Sequence, residues 1–181
     1  KLGSNVLRLD RPLRSDFSNA AAYQQVVQKM HPISNVGLES LTVTPTDRTN
    51  PSYNYKPAIS VGNTVNSWVR DVKVAGWYNV EITTKNSARN LYDRIWLSDL
   101  FFHPWNEAAF SFDSGAIDSV VQNSIFTRNF VDVKFQVGAS GNAWIYNYQR
   151  RAGVDECHVA STSGLTTVRP KKAAPRRAPL R

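Results

Sequence analysis

Glu81 in NVEIT, Asp113 in AFSFD, and Lys134 with Gln136 in VKFQV carry groups that can move protons or hold charge, and they recur at related places. Each lies in a short run where apolar and polar side chains alternate, the mark of a half-buried strand. The apolar members turn inward, which leaves Ser60, Glu81, Thr83, Ser111, Asp113, Lys134 and Gln136 as an outward row. Stacked strands would set Glu81, Asp113 and Lys134 on one face, two acids and an amine suited to acid–base work. The row also suits a plain solvated face whose charges pair across strands for under about 1 kcal/mol.

A second group sits in LSDLFFHPWNEAA, which lengthens one repeat and brings Asp99, His103, Trp105 and Glu107 close together in sequence. An imidazole at His103 can shuttle protons near neutral pH, and Trp105 offers a flat apolar face. Long loops on rigid scaffolds often carry function. The alternative is that Phe101, Phe102 and Trp105 cover the side of the fold and His103 is a bystander.

Other chemistries find less support. His31, His103 and His158 have no close ligand spacing, and the acids form no alternating Ca²⁺ loop. No metal or other cofactor is expected, apart from a Ca²⁺ site built across coils from Glu81 and Asp113, which stays open. There is no GxSxG elbow, and Gly138 to Asn142 lacks the Lys and helix of a phosphate cradle.

The elements that must position these groups repeat. NVGLESLTV, NSWVRDVKV, ARNLYDRIWL, SVVQNSIF and NAWIYNYQ share a pattern, with Ser40, Asp71, Arg94, Asn123 and Asn147 at matching places. A period in the twenties indicates stacked coils. Three short strands separated by corners make a roughly triangular coil, and parallel stacking sets like positions about 4.8 Å apart. Ile59, Val80, Ile82, Phe110, Phe112, Val133, Phe135 and Val137 then form the inward ladders. Asp71, Asn123 and Asn147 bond backbone groups that a corner leaves without a sheet partner, while Arg94 fits that role poorly. Trp68, Trp77, Tyr78, Trp96, Trp144 and Tyr146 either pack in the core and between loops or line a surface.

With 181 residues and 41% hydrophobic content, there is enough apolar material for one continuous core. No run approaches the roughly 18 to 20 apolar residues of a bilayer span, so no membrane insertion is expected. The single Cys157 excludes an internal disulfide framework. Of the net charge of +8, six come from Arg169, Lys171, Lys172, Arg176, Arg177 and Arg181 in a tail without acids. Such a tail reads as disordered, and any nucleic acid or other polyanion partner would bind through it. The start at Lys1-Leu2-Gly3 reads as a processed product or part of something longer. The expected organisation is an N-terminal strand and short helix over 1–32, a coiled domain over 33–166, and the basic tail over 167–181.

The phrases NVGLESLTV, NSWVRDVKV and GASGNAWIYNY, in this order, resemble the right-handed parallel β-helix of the pectate-lyase-like superfamily, over roughly Ile33 to Arg150. The resemblance implies an all-β fold and a carbohydrate groove along the first sheet, in a secreted or cell-surface protein. The superfamily also holds tail spikes and adhesins, and a fold does not fix a chemistry. WIDH-type signatures and the NTD, DD, GHG and RIK set are missing, so no catalytic residue carries over.

With a polysaccharide as partner, Glu81, Asp113, Lys134 and His103 become the catalytic candidates of a lyase or glycoside hydrolase. Trp105, Glu107 and Gln136 become its substrate-binding candidates. Two carboxylates suit hydrolysis, and a base beside cationic groups suits elimination. The other reading is a non-catalytic adhesin, spike-like or structural β-helix protein. Oligomeric state is left open.

Overall fold

The computed structural model describes residues 30–46, 56–100, 108–129, 131–136, 138–150 and 166–167. The chain divides into two units, Lys1–Met30 and His31–Arg181, and the architecture below is that of the second. The expected N-terminal helix, Cys157, Val137 and the basic tail beyond Thr167 lie outside the described residues.

Among the described residues the fold is all-β, without a helix. The first circuit of the chain holds β1 (Ile33–Ser34) and β2 (Gly37–Val43). The second holds β3 (Ile59–Gly62), β4 (Thr64–Val65) and β5 (Trp68–Ala75). Next come β6 (Ile82–Lys85), β7 (Ser87–Ala88), β8 (Leu91–Asp93) and β9 (Trp96–Ser98). The fourth circuit repeats this with β10 (Ala108–Phe112), β11 (Ala116–Ile117), β12 (Val120–Gln122) and β13 (Ile125–Thr127). The fifth has β14 (Val131–Phe135), β15 (Ala143–Ile145) and β16 (Tyr148–Arg150), and β17 (Thr166–Thr167) pairs onto β15.

All pairings are parallel and lie between successive circuits. The first sheet runs β3-β6-β10-β14, a narrow second sheet β1-β4-β7-β11, and the remaining strands form a nine-stranded third sheet. A full circuit therefore has four straight pieces rather than the expected three. The addition is the two-residue second sheet, too short to show any alternation in sequence.

Most pieces end in one residue of positive φ. Asn63, Asn86, Gly115 and Gly138 form one such column, and Asn35, Asn66, Arg89, Asp118 and Gly141 a second. Ser40, Asp71, Arg94, Asn123 and Tyr146 form a third, and Gly76, Asp99 and Arg128 a fourth. Left-handed backbone sharply redirects a chain, and Gly, Asn and Asp tolerate it best. The repeated position read from sequence as Ser40, Asp71, Arg94 and Asn123 is thus a backbone corner. Its fifth member is Tyr146, one residue before the expected Asn147. Arg94 fits because its guanidinium grips Asp71 of the preceding circuit at 2.7 Å through both Nε and Nη2.

The residue after most of these corners points inward, and many of them are Ser or Asn. Ser67 N–H donates to Asn90 Oδ1 (3.0 Å), Asn90 N–H to Ser119 Oγ (3.1 Å) and Ser119 N–H to Asn142 Oδ1 (3.0 Å). Ile95, Ser124 and Asn147 repeat the scheme at the next corner, and Leu100 with Asn129 at the one after. Asn147 therefore bonds to the neighbouring circuit as expected, and Asn123 instead donates to Asp93.

The core lies inside these sheets. Ile82, Phe110, Phe112 and Phe135 are buried as expected, Ile59 and Val133 pack against them half-buried, and Val80 is half-buried at the margin. Tyr92, Phe126 and Trp144 fill the side facing the third sheet, with Phe126 and Trp144 4.5 Å apart between ring centroids.

Asn142 is buried and also donates to Ala116 O at 2.8 Å, so Asn142→Ala leaves the buried Ser119 N–H unpaired and takes from Ala116 O one of its two donors, the other being the Ser140 N–H. The expected loss is about 2–3 kcal/mol in urea unfolding. A loss below about 1 kcal/mol would show that the corner amides are dispensable.

Candidate functional site

On the outer face of the first sheet, Ser60, Thr83, Ser111 and Lys134 form one column by register. Gly62 and Lys85 pair in another, and backbone bonds extend it to Asp113 and Gln136. These two columns border a shallow trough of about 260 Å³ lined by Ser60, Thr83, Lys85, Ser111, Asp113 and Gln136, with Asn79 and Pro57 at one end. Short hydroxyls at Ser60 and Thr83 leave the trough open, Ser111 is buried at its floor where the Gln136 amide donates to its Oγ at 3.5 Å, and longer side chains rim it. Asp113 Oδ1 accepts from the Ser114 N–H (2.6 Å) and Oγ (3.2 Å), a local turn that holds the carboxylate at the strand end.

Sequence alternation is right for Asp113, Lys134 and Gln136 and wrong for Glu81. Glu81 is completely buried, and it precedes its strand by one residue. Its backbone N–H donates to Ala109 O (3.1 Å), and the β10–β14 register continues that column to Asp132. Glu81 and Asp113 therefore belong to columns four residues apart and do not converge on a shared Ca²⁺ position. Among the described residues no group of three or more His, Cys, Asp or Glu is placed to hold a metal ion.

Glu81 and Asp132 instead make a buried acidic pair that alternation did not single out. They sit two strands apart, roughly 10 Å between backbones, with Ala109 between them. Both Glu81 oxygens are buried without a hydrogen-bond partner. Burial pushes its carboxyl well above the usual range, helped by the nearby Asp99 and Asp132 carboxylates and opposed by the Ser98 backbone. Asp132 is raised to about 6, chiefly by burial, while the Asn129 and Gln149 side chains oppose the rise. Asn129 Nδ2 donates to Asp132 Oδ1 at 3.1 Å. The signal for Asp132 was its place two residues before Lys134, matching Glu81 two residues before Thr83.

The register also locates the lengthened repeats. Equivalent corner residues are 23 residues apart where a circuit is shortest, and 29 or 31 apart elsewhere. All but one of the extra residues fall between the end of the third-sheet strand and the start of the next first-sheet strand, after Val43 and after Ser98, and the remaining one widens the corner between Phe112 and Ala116. Both lengthened stretches thus lead into the first sheet, on either side of the short corner Gly76 to Glu81. His103, Trp105 and Glu107 belong to the second stretch and lie outside the described residues.

The aromatic residues divide. Trp144 is buried, and Trp68, Trp77 and Tyr78 are half-buried. Trp68 lies over Gly37, where any side chain would collide with the indole, and Trp77 Nε1 donates to Lys56 O at 2.8 Å. Trp96 and Tyr146 are exposed. Among the described residues no helix is long and apolar enough to cross a membrane.

No family model matches this chain, and no curated protein matches it. Among solved structures, it is similar to a "putative glycosyl hydrolase" from Parabacteroides merdae at 11% identity and a TM-score of 0.37. That match covers 48% of this chain and 39% of the other, and likeness so distant bears on neither substrate nor mechanism.

The buried acids generate a pH test. Folded Asp132 holds its proton up to about pH 6, against 3.8 ordinarily, so between those values the folded state binds more protons than the unfolded one. Its contribution to stability is fully present below pH 4 and falls as pH rises through this window. Asp132→Asn should stabilise the protein by about 2–3 kcal/mol at pH 7 and by almost nothing at pH 4. Melting curves across this range check it, and an equal effect at both pH values would contradict it.

Proposed function

We propose that this chain is a right-handed parallel β-helix of the pectate-lyase-like kind that binds or cleaves an extracellular polysaccharide along its first sheet. Parallel strands returning to the same sheets every 23 to 31 residues support the fold reading. The trough over Ser60, Thr83 and Ser111 carries the functional reading. Hydroxyls and the Gln136 amide both donate and accept, which suits a chain of sugar hydroxyls, and an open trough lets a polymer pass. Asp113 serves as acid or base, and Lys85 with Lys134 supplies positive charge for a developing oxyanion. His103, Trp105 and Glu107 form one wall in this reading.

The non-catalytic alternative has a specific observation behind it. Hydrolysis by two carboxylates needs a second acid beside Asp113, and Glu81 is buried away from the trough. That favours elimination or plain binding over hydrolysis.

Incubation with neutral, uronate-containing and sulfated polysaccharides tests this, following reducing ends and the ultraviolet absorbance of unsaturated products. An active protein should lose about 100-fold or more in kcat/KM in Asp113→Asn, with its melting temperature unchanged. Full activity in that variant would remove Asp113 from the mechanism. Binding without product would establish the non-catalytic reading, and neither binding nor product on any substrate would overturn the proposal.

A further inference from the structure

Seven large apolar side chains are exposed among the described residues, and four of them share one outer face. Trp96, Ile125 and Tyr148 form a single column of the third sheet by register. Tyr146 lies two residues before Tyr148, on the other side of the inward-pointing Asn147. Tyr146 is 74% exposed and Tyr148 56%, the former the most exposed of the group.

Tyr146 breaks the logic of its position. It has φ 55°, where the other circuits use Ser40, Asp71, Arg94 and Asn123. A bulky aromatic residue is unfavourable in left-handed backbone, and here no burial of the ring offsets it. The residue thus serves neither the corner nor the core, which marks the surface itself as its role.

The size of the patch limits its occupant. Aromatic side chains of this kind cover roughly 150–250 Å² each, so the exposed parts of the four sum to roughly 400 Å². A stable protein–protein contact takes about 800 Å² per partner. A second copy would also have to cover the charged Asp71–Arg94 corner, Lys73 and Arg150 beside the patch. A few pyranose rings fit the area, with their C–H faces on aromatic rings and their hydroxyls reaching the flanking polar groups. Lys73 Nζ already sits over one face of Trp96, 4.5 Å from its ring centre, so the two more exposed tyrosines supply most of the stacking surface.

We infer that the third-sheet face around Tyr146 and Tyr148 is a second glycan-holding surface, separate from the trough on the first sheet. The inference rests on the carbohydrate reading above for its ligand class and on Tyr146, Tyr148 and Trp96 for its location. A glycan chain held there would stay near the protein between encounters with the trough.

Native gels cast with a neutral β-glucan or a uronate polysaccharide test it with the full chain. The double variant Tyr146→Ala, Tyr148→Ala should weaken retardation about tenfold in apparent Kd. Tyr146→Asn should weaken binding while raising the melting temperature, because Asn tolerates the corner better; a merely structural tyrosine would not produce that split. Full binding in the tyrosine variants would overturn this surface and leave the trough standing. Self-association of the wild type abolished by the tyrosine variants would overturn it in favour of a second copy. No retardation by any glycan would overturn both readings.

Discussion

Corners that leave backbone groups without partners are the constraint on which the rest of this structure depends. A strand inside a parallel sheet satisfies its N–H and C=O groups through its neighbours, but a chain that leaves the sheet several times per circuit cannot. This protein solves the problem with a pair of positions at most corners. One residue of positive φ redirects the chain, and the next turns a Ser or Asn inward to bond the adjacent circuit. With the corners fixed, the sheet registers follow, and with the registers the identity of every neighbour on the outer faces.

The arrangement separates two kinds of polar group. Asn90, Ser119, Asn142 and Asn147 are buried and bonded, and they rigidify the frame. Glu81 and Asp132 are also buried, yet Glu81 is without a hydrogen-bond partner and Asp132 has one oxygen unpartnered. Groups of the second kind weaken a fold at neutral pH, and they sit where the chain enters the first sheet in the third and fifth circuits. The outer trough and the exposed tyrosines then occupy faces whose geometry the corner bonds hold fixed, which is how a rigid scaffold can present side chains at constant spacing.

Much of the frame was legible because it recurs. Ser40, Asp71, Arg94 and Asn123 could be aligned without coordinates, since apolar pairs flank each of them at constant distance. Asn147 drew the fifth alignment one residue too far, because an amide looks like a corner residue and a tyrosine does not. The second sheet was hidden because two residues carry no period. Alternation placed Asp113, Lys134 and Gln136 outward correctly, since they lie inside or immediately after their strands. Glu81 escaped because it precedes its strand, where the alternation that holds within β6 no longer decides which side chain is covered.

The corner bonds have a direction. Val36, Thr64, Ser67, Asn90, Ile95, Leu100, Ser119 and Ser124 all donate their N–H groups to a side chain that comes later in the chain. The amides of Asn90, Asn129, Asn142 and Asn147 likewise reach back to the circuit before. Each circuit is therefore finished by the one that follows it. A ribosome delivers the chain in that same order, N-terminal residues first. Each newly made circuit thus carries the groups that complete the corners of its predecessor, while its own corners have no side-chain acceptor until the next circuit exists.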